Sequence, residues 1–377
     1  MWLHRYAIFV AAATVLLIVA GGLVTSTGSG LYVPDWPTTY GWSMFTFPLD
    51  KMVGGIFYEH SHRLIATSVG MLTIGLAVWL WLAESRRWLR RLGLVALGVI
   101  CAQGLLGGVT VLFFLPATVS IAHAGLAQIF FCVVVSIAVL TSRSWETTAV
   151  AKLRLKPPSR SPRQAGEPSL LGGRTAAAKL RQLLKPRTCF IRKDTGFRRC
   201  LGPLDDRLLR IMASATTAAI YGQILVGATM RHTDAGLAIP DFPLVFGGLV
   251  PPQWTARIAI HYAHRVGALI IASAILAMAA HIRYHHQSRP ELIRPATVAA
   301  LLVLAQVALG GLTVLSGRAV SINTAHVATG ALLLATSLVI SLRSWRIHFA
   351  RSESTLATEF PPAGDLARTR PSVGAQA

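Results

Sequence analysis

The chain has 377 residues, of which 53% are hydrophobic and only 14% charged, with a mean hydropathy of +0.54. Soluble domains carry roughly 25% charged residues, so this composition excludes an ordinary soluble globular protein. The formal net charge of +21 would suit a nucleic-acid-binding protein, but the positions of the charges, given below, argue against that class.

Eight apolar segments, each long enough to cross a bilayer as a helix, follow one another along the chain. We predict spans at about 7–25, 63–83, 92–114, 119–141, 211–230, 258–280, 295–316 and 321–342. The first segment is too long for the h-region of a signal peptide and has a counterpart at 211–230, so we expect it to be retained. The sequence therefore predicts an all-α polytopic membrane protein.

Basic residues alternate between the two sides of the predicted spans. They gather at 84–91, 142–210, 281–289 and after Ser341, whereas the loops 26–60, 115–118, 231–257 and 317–320 carry few. By the positive-inside rule this places both termini in the cytoplasm, in a multi-pass protein of the cell inner (cytoplasmic) membrane. The alternation explains the net charge without a nucleic acid, and we expect no nucleic-acid partner.

The chain reads as two copies of one unit. "GGLVTSTGSGLYVPDWP" (21–37) matches "GATMRHTDAGLAIPDFP" (227–243), "EHSHRLIA" (59–66) matches "HYAHRVGA" (261–268), and "QGLLGGVTVL" (103–112) matches "QVALGGLTVL" (306–315). Such an internal repeat predicts two tandem pseudo-symmetric four-helix bundles. We assign them to residues 1–141 and 211–343.

Between the copies lies a basic segment, 142–210, rich in Lys, Arg, Pro and Ser. It cannot bury a core, and we expect a mostly disordered cytoplasmic linker that contacts anionic lipid of the bilayer, with one short interfacial helix at 176–186. The tail, 344–377, is expected to be disordered as well.

Titratable residues stand near the ends of four predicted spans on the external side. Residues three apart share a helix face, so Glu59 and His62 point the same way, as do His261 and His264. His123 and His326 begin the fourth span of each half at a similar depth. One histidine on the second helix and one on the fourth would form an axial pair for haem iron.

The alternative for any histidine at a helix end is a hydrogen bond to a headgroup or to the backbone. We favour metal ligation for the two repeated pairs, because ionisable groups are costly in a membrane unless they have a function. We favour the hydrogen-bonding alternative for the other histidines, which are His4, His232, His281, His285, His286 and His348.

Several neighbouring residues invite two interpretations each. Arg63 and Arg265 directly follow the histidine motifs, and either bind a haem propionate or extend to the interface. Gln103 and Gln306 are expected to donate hydrogen bonds inside the bundles. The glycines 107, 108, 310 and 311 are expected to permit close helix approach.

Pro-Asp-aromatic-Pro occurs in two external loops, as "PDWP" (34–37) and "PDFP" (240–243). The motif is either an aromatic anchor at the membrane interface or a lid over each bundle, with Asp35 and Asp241 fixing the turn. The loops 26–60 and 231–257 contain no cysteine, and Cys101 and Cys132 lie within spans.

With "GGLVTSTGSGL", "PDWP", "EHSHR", "AHAG", "HYAHR" and "NTAHVATG" together, the chain resembles the haem A synthases over both four-helix halves. The resemblance implies oxidation of the C8 methyl of haem O to a formyl group through successive hydroxylations. It implies a haem b cofactor in the C-terminal half on His264 and His326, near Arg265. It also implies that His62 and His123, near Arg63, hold the substrate haem, with Glu59 in catalysis.

One feature departs from some bacterial members of that family, which carry a cysteine pair in an external loop that this chain lacks. A haem O synthase (farnesyltransferase) and an electron acceptor are expected partners, and homo-oligomerisation stays open.

Two other classes compete with the enzyme. A di-haem b-type electron-transfer protein without substrate turnover would share the histidine pairs, but its halves should be equivalent, and Glu59 opposite His261 argues against it. A transporter should show proline-interrupted helices at the midplane, which the spans lack.

Overall fold

The computed structural model describes residues 1–143, 145, 189–191, 198–200 and 206–359, with side chains for 1–143, 145 and 206–346. The expected helix at 176–186, most of the linker and the end of the tail lie outside these residues. Statements on fold and contacts below concern the described part.

Eight long helices account for almost all of it. They are α1 (Trp2–Ser26), α2 (Gly54–Ala83), α3 (Arg87–Leu112), α4 (Ala117–Leu140), α5 (Arg207–His232), α6 (Ala256–His285), α7 (Pro290–Leu315) and α8 (Val320–Glu359). Each contains a stretch long and apolar enough to cross a membrane, which confirms the predicted polytopic all-α class. A 3₁₀ turn at Leu49–Lys51 precedes α2.

One small element was not predicted. Strands β1 (Cys189–Ile191) and β2 (Arg198–Cys200) pair antiparallel within the linker range, with Cys189 opposite Cys200. The all-α description therefore applies to the membrane part of the chain.

Several helices begin before or end after the apolar segments that predicted them. The helix α2 starts at Gly54, so Glu59, His60 and His62 lie two or so turns inside it and not at its mouth. The span predicted from hydropathy was too short, because polar residues lower the hydropathy of a segment. A helix nevertheless accepts polar residues when they have partners or point into a bundle.

The helices contact one another in two closed rings. The helix α1 contacts α2 and α4, and α3 contacts α2 and α4; the same holds for α5 with α6 and α8, and for α7 with α6 and α8. Each ring surrounds its own apolar cluster, containing Leu76 and Phe130 in the first and Ile275 and Met278 in the second. These are the contacts that two four-helix bundles would make, and the tandem division stays our interpretation of them.

The two rings meet along α1, α4, α5 and α8. Ile18, Phe131 and Ala331 belong to a third buried cluster at this junction. Near the external end, Asn323 Nδ2 donates a hydrogen bond to Ser26 Oγ at 2.7 Å. The halves are therefore packed against each other by apolar contacts with a polar contact near one end.

Candidate functional site

Each of the four predicted ligand histidines packs against a glycine of a neighbouring helix. A Cβ added to Gly21 on α1 would lie 3.1 Å from Cε1 of His62, and one added to Gly107 on α3 would lie 3.2 Å from Cε1 of His123. The second half repeats this at 3.1 Å for Gly227 with His264 and at 3.1 Å for Gly310 with His326. The glycines therefore leave room for four imidazole rings that any larger residue would displace.

In each half, the two imidazole rings lie on helices at diagonally opposite positions among the four helices. His62 lies on α2 and His123 on α4, and His264 lies on α6 and His326 on α8. Within the described residues each ring keeps a nitrogen without a hydrogen-bond partner. In His62, His123 and His326 the fully buried Nδ1 is a nitrogen without a partner.

Three glutamine side chains border these rings. Gln103 Nε2 lies 3.3 Å from Nε2 of His123 and donates to its backbone oxygen at 3.0 Å. Gln306 Nε2 lies 3.4 Å from Nε2 of His326, and Gln223 Nε2 lies 3.1 Å from Nδ1 of His264. The amides thus fix the ring orientations, as predicted for Gln103 and Gln306; Gln223 was missed.

The two Pro-Asp-aromatic-Pro loops fold back over the bundles. Trp36 covers Gly108, where an added Cβ would meet the indole at 2.5 Å, and Phe242 covers Gly311, where it would meet the phenyl ring at 2.6 Å. Gly108 and Gly311 each follow a glycine that packs against a histidine. The loops therefore place an aromatic ring beside each histidine site, and the predicted close helix approach at these glycines is instead an approach of side-chain rings.

Asp35 and Asp241 hold the turns of these loops, as predicted. Asp35 accepts hydrogen bonds from the amides of Tyr40 and Gly41 at 2.7 and 2.9 Å, and Asp241 accepts from Phe246 and Gly247, both at 2.9 Å. Burial alone would raise the pKa of Asp35, but hydrogen bonds, foremost from Gly41, outweigh it and lower that pKa. Hydrogen bonds from Gly247 and Phe246 likewise lower the pKa of Asp241. Both turns therefore rest on ionised carboxylates.

Arg63 is the main connection between α2 and its loop. Its Nη1 donates to the backbone oxygens of Asp35 and Thr38 at 2.7 and 2.9 Å, and its Nη2 donates to the backbone oxygen of Val33 at 2.9 Å. The same Nη2 donates to Glu59 Oε1 at 2.7 Å, and Glu59 Oε2 accepts from the Val33 amide at 2.9 Å. Glu59 and Arg63 thus clasp the loop, and both are buried.

Arg265 and His261 form the corresponding clasp in the second half. Arg265 donates to the backbone oxygens of Ile239, Asp241 and Leu244 at 2.7 to 3.0 Å, and its Nε donates to His261 Nε2 at 3.1 Å. His261 Nδ1 lies 3.3 Å from the Ile239 amide. Because a neutral imidazole accepts at one nitrogen only, His261 can replace just one of the two contacts that Glu59 makes.

These contacts bear on two expectations. Arg63 and Arg265 donate hydrogen bonds to the loops. A direct contact between either guanidinium and a haem propionate therefore stays a prediction, without support from this geometry. Glu59 and His261 both anchor a loop, so the difference between them also has a structural role. This difference alone therefore does not distinguish an enzyme from an electron-transfer protein.

The glycines of the histidine sites are the functional residues that sequence reasoning missed in this role. Their signal was present, since Gly21 and Gly227 occupy the same place in the first repeated motif, and Gly107 and Gly310 in the third. Periodicity alone cannot reveal that a histidine from another helix lies against them.

A second cluster of titratable groups lies at the opposite end of the C-terminal helices. Asp206 Oδ2 accepts from Nε2 of His281 at 2.7 Å and of His286 at 3.0 Å, and its Oδ1 accepts from the Leu209 amide at 3.0 Å as the cap of α5. These atoms lie close enough to hold a cation. Burial would raise the pKa of Asp206, but the hydrogen bonds, foremost from His286, lower it strongly. His281 and His286 do form hydrogen bonds, but with the Asp206 carboxylate and not with a headgroup or the backbone as we expected.

The chain is similar to known proteins over most of its length. A model of the COX15-CtaA family, described as cytochrome oxidase assembly protein, matches residues 42–165 and 199–338. The protein named heme A synthase of Shouchella clausii is 26% identical over 84% of this chain and 88% of its own length. That of Geobacillus kaustophilus is 26% identical over 83% and 82%, and that of Rhizorhabdus wittichii is 23% identical over 89% and 92%. The matched ranges contain all four histidines.

Proposed function

This chain belongs to the COX15-CtaA family of cytochrome oxidase assembly proteins, and we propose that it is a haem A synthase of the cell inner membrane. It oxidises the C8 methyl of haem O to a formyl group through successive hydroxylations. The observation that carries the proposal is the repeated site in which two histidines on diagonal helices each rest on a glycine. The similarity to proteins named heme A synthase supports the reaction.

The residues present fit haem. Nδ1 of His62, of His123 and of His326 is buried without a hydrogen-bond partner, and such a nitrogen is costly unless a ligand completes the ring's interactions. The glycines set the ring positions, and the two imidazoles of each half would hold the iron of a haem.

We assign His264 and His326 to a resident haem b and His62 and His123 to the substrate haem. Bound haem supplies one-electron chemistry at its iron. Two protein ligands on one iron leave no free position there, so the first task of these residues is to hold the macrocycle still. Trp36 and Phe242 cover one side of each site and exclude water from it.

Glu59 is our candidate for the catalytic carboxylate, because it lies one helical turn from His62 on the same face. Oxidation of a methyl group releases protons. Glu59 can take up a proton on Oε2 by giving up its contact with the Val33 amide, while Oε1 remains paired with Arg63. The asymmetry between the halves then serves chemistry as well as anchoring, since His261 has no comparable acceptor oxygen.

The remaining assignments follow from the same proposal. The basic loops place both termini in the cytoplasm. We expect haem O, delivered by a haem O synthase, to enter the N-terminal half from the bilayer, and a haem b held by His264 and His326 would supply one-electron chemistry towards an acceptor.

The experiment is production of haem A in cells that make haem O and this protein. We expect haem A in extracted pigments of cells with the wild-type chain, and loss of it with His62→Ala or His264→Ala. His4→Ala is the control, because that ring hydrogen-bonds the backbone oxygen of Ala138 and lies outside both sites. If the purified protein contains haem but produces no haem A from supplied haem O, the result would instead support the electron-transfer alternative.

A further inference from the structure

Two arginines lie at the external mouth of the C-terminal helices. Arg231 lies in the last turn of α5 and is partly buried, and Arg318 lies in the exposed turn between α7 and α8. Asp234 lies two residues beyond the end of α5. Within the described residues, neither guanidinium forms a hydrogen bond or an ion pair, with Asp234 or with any other side chain.

Their position relates them to the histidine site. Arg231 follows Gly227 by four residues, so it leaves α5 on about the same face and roughly 6 Å closer to the external end. Gly227 is the residue against which His264 packs. Arg318 lies over Gly236, where an added Cβ would be 3.6 Å from its Cδ. Both cations therefore stand at the external end of the His264–His326 site.

The N-terminal half provides a comparison at the same positions. Leu115 occupies the place of Arg318: both have a positive φ, of 57° and 70°, and both amides bond the residue five positions earlier, at 2.7 and 2.8 Å. Leu115 covers Gly30 as Arg318 covers Gly236, at 3.4 Å. Thr25 occupies the place of Arg231 in the repeated motif and bonds the Gly22 backbone oxygen at 3.0 Å. The first half thus has neither cation.

Two cations at the same end of a binding site favour the binding of an anion there. Guanidinium groups suit carboxylates because they can donate two parallel hydrogen bonds. Arg265, the other arginine close to this site, is engaged by its loop. The anion that fits is a carboxylate of a molecule bound below, in the histidine site.

We propose that Arg231 and Arg318 bind the propionate carboxylates of the haem held by His264 and His326, and that they make this haem the resident one. The proposal rests on the proposed function, because it takes haem to be the ligand. The first half, with Thr25 and Leu115 instead, holds its haem by the histidines without these two cations, so that substrate and product can exchange.

The test measures haem retention by purified full-length protein carrying Arg231→Gln, Arg318→Gln or both. Each single variant removes charge-assisted hydrogen bonds, and we expect release of haem b to excess apomyoglobin to become about tenfold faster. We also expect a lower midpoint potential of the haem, because a nearby cation favours the reduced iron. Arg257→Gln is the control, since Arg257 is an exposed arginine at the start of α6.

Two further measurements separate binding from folding. Arg231→Lys should restore the midpoint potential towards wild type. Haem-depleted wild-type protein should bind protohaem more tightly than protohaem dimethyl ester, which lacks the carboxylates, and the double variant should bind both alike.

Release rates and potentials equal to those of Arg257→Gln would overturn the proposal, as would equal binding of haem and ester by the wild type. Absence of haem from the wild-type protein would overturn the proposed function itself. The two failures are therefore distinguishable.

Discussion

Substitution of Gly227 by alanine tests the contact on which the C-terminal histidine site depends. The new Cβ would lie 3.1 Å from Cε1 of His264, so that the ring would have to move by a few tenths of an ångström. Gly222, on the same helix, is the matched control, because a Cβ there meets nothing within 4 Å.

The two substitutions should have opposite effects. Glycine within a helix costs about 0.5–1 kcal/mol relative to alanine, so Gly222→Ala should stabilise the protein by about that amount. At Gly227 the same gain is opposed by overpacking, which costs about 1–3 kcal/mol, so the net loss lies within about 0–2.5 kcal/mol, with a central value of about 1.3 kcal/mol. If that loss falls on the haem-bound state, haem affinity drops roughly tenfold.

The assay is haem b per chain in purified protein, from the pyridine haemochrome spectrum, with the unfolding temperature measured in the same detergent. We expect Gly227→Ala to lose haem and Gly222→Ala to keep it and to unfold at a slightly higher temperature. Full haem content and an unchanged spectrum in Gly227→Ala would refute the claim that this glycine positions the ligand ring.

Three further predictions concern the Glu59–Arg63 clasp and the Asp206–His281–His286 cluster. Glu59→Gln should keep haem in both halves yet stop formyl production in cells that supply haem O; unchanged haem A output would remove Glu59 from the reaction. Glu59→His copies His261 and should preserve the anchoring of the loop by Arg63, seen as wild-type resistance of that loop to protease, while haem A production is lost; rapid cleavage would contradict the anchoring role. Asp206→Asn keeps the helix cap but removes the carboxylate charge, and should lower the free energy of unfolding at neutral pH by about 1–3 kcal/mol. Because the pKa of Asp206 is lowered in the folded state, this difference should be present above the unfolded pKa of about 3.9 and vanish as the pH falls below it, whereas a difference independent of pH would contradict the assignment.

The sequence was sufficient to predict the membrane class, and it singled out the histidines that we propose as ligands. Eight apolar segments predicted eight helices, because the bilayer imposes one length and one hydrogen-bonding solution on each of them. Helical spacing and the repeated motifs singled out His62, His123, His264 and His326, and the structure brings each pair onto diagonal helices.

The contacts between distant segments could not be predicted in this way. Glu59 reaches the Val33 amide and Arg63 reaches the oxygens of the same loop, and nothing in the local sequence specifies that the loop folds back onto α2. The interpretation of Arg63 as a propionate ligand assumed a free guanidinium for the same reason. A role for Arg231 and Arg318 was not predicted, because the repeat singles out residues that the two halves share. These two arginines lie at positions where the halves differ.

The central claim is that two imidazoles on diagonal helices bind one iron in each half. Electron paramagnetic resonance of the purified oxidised protein tests it most directly, with haem b as the resident group. The account predicts a low-spin signal of the bis-imidazole type that is lost in both His264→Ala and His326→Ala and retained in His285→Ala. A high-spin signal in the wild type, or a low-spin signal that survives the loss of His264 and His326, would contradict it.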